Sequence, residues 1–170
     1  MNRLSHLGVA VATLALLSSS TPQHAQAASS VFTAHLTGRE EVPAVQTRAA
    51  GEAKLTLSSD GTQILFRVNV ADIDNVTGAA IHLGMPGQSG EAVAVLYGPV
   101  TASGGRKSGV LVEGTLTQAS LTGSLMGHPL SDLVSAIRSG NVYVDVSTSD
   151  GSTTQKPGNE SSGEIRGQVR

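Results

Sequence analysis

The sequence predicts an all-β domain, an antiparallel β-sandwich or Greek-key barrel with one short helix. Three observations predict it. Segment after segment alternates apolar and polar residues with period two, as strands with one face in a core do. The segments are short and separated by turns rich in Gly, Ser, Asn and Asp, the pattern of antiparallel folds. A single stretch carries apolar residues at helical spacing.

Val31–Thr37 sets Phe32, Ala34 and Leu36 against Thr33, His35 and Thr37. Residues 53–58 present Ala53, Leu55 and Leu57 on one face, and residues 64–70 present Ile64, Phe66, Val68 and Val70. Ser59-Asp60-Gly61-Thr62 joins them, and Asp-Gly tolerates the positive φ angles of a tight hairpin. Ala79–Leu83 is a short strand ending at Gly84, and Ala92–Tyr97 is apolar throughout, as a strand buried on both faces would be. Residues 109–117 alternate again. Asn141–Thr148 sets Val142, Val144 and Val146 against Tyr143, Asp145 and Ser147, and Glu164–Val169 closes the chain. A further strand is expected near 120–126.

The helix is predicted over 131–139. Leu130, Leu133, Val134 and Ile137 form one stripe, Ser131 suits the cap, and Asp132 sits near the positive end of the dipole. Gly140 suits the left-handed residue that stops it. The expected core includes Leu57, Phe66, Val68, Val95, Ile137 and Val144. Residues 98–109 and 149–163, rich in Gly, Ser and Thr, are expected to be mobile surface loops.

The amino terminus reads as an address. Arg3 precedes the uncharged apolar run Leu7–Leu17, and Ala25-Gln26-Ala27 follows as an A-x-A cleavage pattern. As a helix, the run would cross only about half of a bilayer core. The expectation is a signal peptide at 1–27 and one domain at 28–170, secreted or periplasmic, with no membrane association after cleavage.

Composition narrows the function. The net charge is −2 and Arg106-Lys107 is the single adjacent basic pair, so no nucleic-acid partner is expected. Phe32, Phe66, Tyr97 and Tyr143 make no stacking platform. The absence of Cys excludes disulfides, thiolate catalysis and Cys-bound metals. There is no G-x-S-x-G elbow, and Gly87-x-x-Gly90 lacks the length and the Lys of a phosphate loop.

Among the histidines, His82 lies on an apolar strand ahead of a Gly-rich loop. A strand-borne chelate needs a partner two residues away, and that position is Ala80. The bland expectation is a lone His bonded to a backbone carbonyl or water. His35 and His128 are expected in solvent. Asp72, Asp74 and Asn75 have spacing that could ligate calcium, but Asp and Asn are equally turn residues. Glu164 and Arg166 share one face of the last strand, where a cross-strand ion pair is expected.

Several strings taken together resemble the CHRD domain, a module first described in chordin and common in secreted bacterial proteins. They are Glu41-Val42-Pro43, Ala80-Ile81-His82-Leu83-Gly84, Ala92–Leu96, Leu130-Ser131-Asp132-Leu133, Gly140–Thr148 and Gly163–Gln168. The resemblance runs over roughly residues 31–169 and implies a secreted all-β domain of the bacterial type. The family pattern carries His at the positions of Ala80 and Ser147, and Asn at that of Asp145. If those histidines form a metal site, this chain keeps His82, with Asp145 as a substitute oxygen ligand.

The expected function is an exported, non-enzymatic binding or structural module, without cofactor, whose partner is an unidentified extracytoplasmic ligand or protein. The alternative is an oxidoreductase similar to superoxide dismutase, with a transition metal ion held around His82 and Asp145. Glu41 and Arg166 sit at opposite ends of the resemblance. If the first and last strands are neighbours, the planar guanidinium can grip the carboxylate as a structural ion pair.

Overall fold

The computed structural model describes residues 30–101, 105–149 and 163–170. The expected signal peptide and nearly all of the 149–163 loop lie outside them. The chain forms β1 (Val31–Thr37), β2 (Ala50–Leu57), β3 (Ile64–Asp74), β4 (Val76–Leu83), β5 (Ala92–Tyr97), β6 (Arg106–Leu116), α1 (Leu130–Arg138), β7 (Val142–Thr148) and β8 (Gly163–Gln168).

All eight strands join one sheet in the order β5-β4-β7-β8-β1-β2-β3-β6, and every pairing is antiparallel. Strand twist curls so wide a sheet on itself. The result is a nearly closed barrel-like sheet rather than two stacked sheets, with β5 and β6 at its two ends. The predicted all-β fold with one short helix is what forms. The first and last strands are neighbours: Thr37 pairs with Arg166, and Thr33 and Arg170 exchange two backbone hydrogen bonds of 2.8 and 2.9 Å.

The expected strand near 120–126 does not form. Two 3-10 turns, Gln118–Ser120 and Gly123–Leu125, flank Leu121, which makes an isolated bridge to Ala94. Leu121 is the apolar residue this stretch buries, while Thr117 and Ser120 satisfy each other's backbone in a capping box. The segment thereby covers part of the outer edge of β5, with Thr122 N–H donating to the Val93 carbonyl at 2.8 Å.

Phe66, Val68, Val144 and Ile137 are buried as expected, and Leu57 is half-buried against the same core. Val95 is not buried; it is 47% exposed. Register shifts between β4 and β5 put Val93 and Ala94 inward in succession and turn Val95 out beside Ala80. An unbroken apolar run carries no alternation from which such a bulge could be read.

The helix lies one residue earlier than predicted and buries its expected stripe. Its cap is Pro129, so Ser131 lies inside the first turn, and Gly140 takes the left-handed conformation at φ 72°. His128 is paired with Asp132 at 3.0 Å on the exposed surface, and His35 lies 4.0 Å from Glu52. Residues 106–109 belong to β6 rather than to a loop. Asp72 and Asn75 have positive φ, a conformation their short polar side chains tolerate. Asp72 faces Arg106 at 3.7 Å, and Asn75 Oδ1 accepts a 3.4 Å bond from Gly105 N–H. This is turn chemistry.

Candidate functional site

β7 and β8 are covered on both faces, and the second face, where Tyr143, Arg166 and Gln168 are buried and Asp145 and Ser147 half-buried, is where polar side chains gather. One face carries Val142, Val144, Val146 and Ile165 into the core. The alternation that sends these inward sends Tyr143, Asp145 and Ser147 of β7, with Arg166 and Gln168 of β8, to the other side. Cross-strand register adds His82 opposite Tyr143, Ala80 opposite Asp145, and Arg166 beside Asp145. Two connections lie over this face: the turn after β1, which carries Glu41, and the β4–β5 loop from Gly84 to Gly90.

Side chains of the face bond the β4–β5 loop at several points. The Gly90 carbonyl can only accept, so His82 Nδ1 is the protonated nitrogen and donates to it at 3.0 Å. The Tyr143 hydroxyl accepts from Gly90 N–H at 3.0 Å and lies 3.3 Å from the same carbonyl. Gln168 Nε2 donates to Gly84 O at 2.9 Å and Gly140 O at 2.7 Å, and Arg166 Nη2 donates to Met85 O at 3.2 Å. The Tyr143 ring stacks on His82 with centroids 4.8 Å apart, and the Arg166 guanidinium carbon lies 3.5 Å from its centre. A cation on an aromatic face is attracted by the ring quadrupole.

Arg166 is only 2% exposed, and a guanidinium holds its charge at any accessible pH. Glu41 and Asp145 are the carboxyl groups that feel it. Burial, then the charge of Asp145, pushes Glu41 up to about 8, against the pull of Arg166 and the Val42 N–H. Burial likewise raises Asp145, against His82, the Ser147 hydroxyl and Arg166. Burial also raises the Tyr143 hydroxyl.

Glu41 and Arg166 therefore share a site, but not as the two-bond grip expected from the sequence. Among the described residues, the ion pairs within 4.0 Å are His35–Glu52, Arg67–Glu113, Arg106–Asp72 and His128–Asp132. Glu41 Oε1 is buried and, among the described residues, has no hydrogen-bond partner. The segment around Glu41 is also not wholly extended: Gly38–Glu40 form a 3-10 turn before the backbone straightens at Glu41. The cross-strand ion pair expected for Glu164 and Arg166 does not form either: Glu164 accepts from the Thr47 hydroxyl at 2.6 Å, and among the described residues neither residue has an ion-pair partner within 4.0 Å.

Sequence reasoning did not select Tyr143 or Gln168. The signal for Tyr143 was present, as an aromatic on the polar face of an alternating strand next to Asp145. Gln168 carried none, because its partners lie 28 and 84 residues away. Gly163 was quoted as part of a motif, and the geometry explains it: a Cβ there would overlap both Asp145 Oδ2 and Glu41 Oε1. Gly163→Ala should therefore cost about 1–3 kcal/mol by overpacking. Denaturant unfolding measures it, and a cost below about 0.5 kcal/mol would mean that the carboxyl groups give way freely.

The sequence model of the CHRD domain matches residues 32–169. The chain belongs to the CHRD domain family. No curated protein and no solved structure matches it. In this CHRD domain the donor set does not suit the metal centre that family histidines at these positions would imply. Ala80 and Ser147 bring no imidazole, and among the described residues no three His, Asp or Glu side chains are grouped to hold an ion.

Proposed function

We propose that this CHRD domain is an exported, non-enzymatic binding or structural module of the secreted bacterial type. The observation that carries the reading is the use to which the polar face is put. His82, Tyr143, Arg166 and Gln168 each bond the backbone of the β4–β5 loop, so the chemistry-bearing residues hold a surface loop in one shape. A loop fixed in this way presents a pre-organised surface, which lowers the ordering cost of binding a partner. The partner is an extracytoplasmic ligand or protein.

Export rests on the charged start, the apolar run and the A-x-A pattern of residues 1–27. The exported protein should have an intact mass that begins at Ala28. A mass that retains residues 1–27, found in the membrane fraction, would overturn this. The oxidoreductase alternative is tested beside it, by metal content after purification without chelator and by superoxide dismutation. Stoichiometric transition metal with dismutation would replace the non-enzymatic reading.

A further inference from the structure

We propose that residues 38–47 form a pH-responsive strap, held over β7 and β8 by two carboxyl groups, Glu41 and Asp145, that meet beside Gly163 and share one proton. The strap belongs to no strand. The bond from Val45 N–H to the Gly38 carbonyl at 2.8 Å closes the strap's own turn, and the strap is tied to the sheet by Thr47 to Glu164 at 2.6 Å and by the seating of Glu41 beside Gly163. Only the last of these places a carboxyl group that titrates against another carboxyl.

The geometry sets the charge balance. Glu41 Oε1 and Asp145 Oδ2 both abut the same glycine. Two carboxylates this close in a water-poor site cannot both ionise cheaply. The groups facing Glu41 are Asp145 and Tyr143 from β7 and Arg166 from β8, with His82 of β4 facing Asp145 in turn. Glu164 of β8 is held by Thr47, while Arg39, Glu40 and Arg48 of the strap and its flank point to solvent. Arg166 is the buried cation of this set, and it balances one negative charge. A proton on the carboxyl pair balances the other. Glu41 Oε1, buried and without a hydrogen-bond partner among the described residues, sits where a neutral carboxyl is tolerated far better than a charged one.

The direction of the response follows from linkage. In water Glu41 ionises near 4.5, and under the strap it is held up to about 8. Opening therefore releases a proton. The closed strap has its full stability below pH 4.5 and loses it as the pH rises toward 8. The opening equilibrium should grow about tenfold per pH unit across this window and level off above it. The device is independent of whether the domain binds a partner.

The test is amide hydrogen exchange on the full domain from pH 5 to 8.5, corrected for intrinsic exchange. Val45 N–H should lose protection about tenfold per pH unit up to pH 7.5 while exchanging faster than core amides of β2. Glu41→Gln should remove the slope. A pH-independent wild type, a variant that keeps the wild-type slope, or a strap that opens only together with the core would each overturn the proposal. If the variant does not fold, carboxyl carbon shifts of the wild type decide. One retained proton on the Glu41–Asp145 pair at pH 7 is expected, and two ionised groups at pH 6 would reject it.

Discussion

Arg166→Met should destabilise the domain by about 3–5 kcal/mol at pH 8, because it removes the cation and leaves buried carboxyl groups uncompensated. Met fills similar volume, so the loss is not that of a cavity. It removes the charge on Tyr143, the bond to the Met85 carbonyl and the one positive group that pulls down both Glu41 and Asp145. Both carboxyl groups then rise further above their ordinary range, and folding takes up more protons than in the wild type. The variant should therefore lose stability with pH more steeply, and the deficit at pH 5 should be clearly smaller than at pH 8. Denaturant midpoints at the two pH values measure this; a deficit independent of pH would place the damage in packing. Glu41→Gln mimics the protonated group, so alone it should be close to neutral at pH 5 and more stable than the wild type at pH 8, where the native carboxyl must ionise. Combined with Arg166→Met it should recover part of the loss, whereas additive effects would show that Glu41 and Arg166 do not interact.

Phe66→Ala should cost about 3–5 kcal/mol, the range for truncating a core aromatic. Phe66 is 8% exposed and lies between Leu55 of β2 and Gly114 of β6 in the sheet. Its ring lies over Gly114, where a Cβ would come within 2.8 Å of the ring. The glycine thus has no side chain with which to refill the space, and the truncated site would be bare on two adjacent strands. Val95→Ala is the control, since a residue 47% exposed should lose less than about 1 kcal/mol. A comparable loss at both positions would mean that the assigned inner face is wrong.

Most strands were legible because alternation is a local signal. β1 was read residue for residue, and β7 and β8 to within one residue at each end, since Val, Ile and Leu at every second position state which face is buried. The bulged ends of β3 and β6 were read short, because Asp72, Asn75 and Gly109 are turn residues that here bend a strand instead of ending it. The inversion of Val95 was unreadable for a related reason: register between β4 and β5 is a property of the pair.

By itself, then, the sequence determined the all-β class, the single helix, most strand faces and the membership of Glu41, His82, Asp145 and Arg166 in one set of motifs. The tertiary structure decided what those residues do. Whether Arg166 grips Glu41 or lies on Tyr143, and whether Asp145 faces water or a second carboxyl, depends on two connections closing over the outer face of β7 and β8. The groups that meet there lie far apart in the chain, and their ionisation is set by burial and by one another's charge. Local residue patterns fix which way a side chain points; only the packed fold fixes what it meets and how much water is left around it.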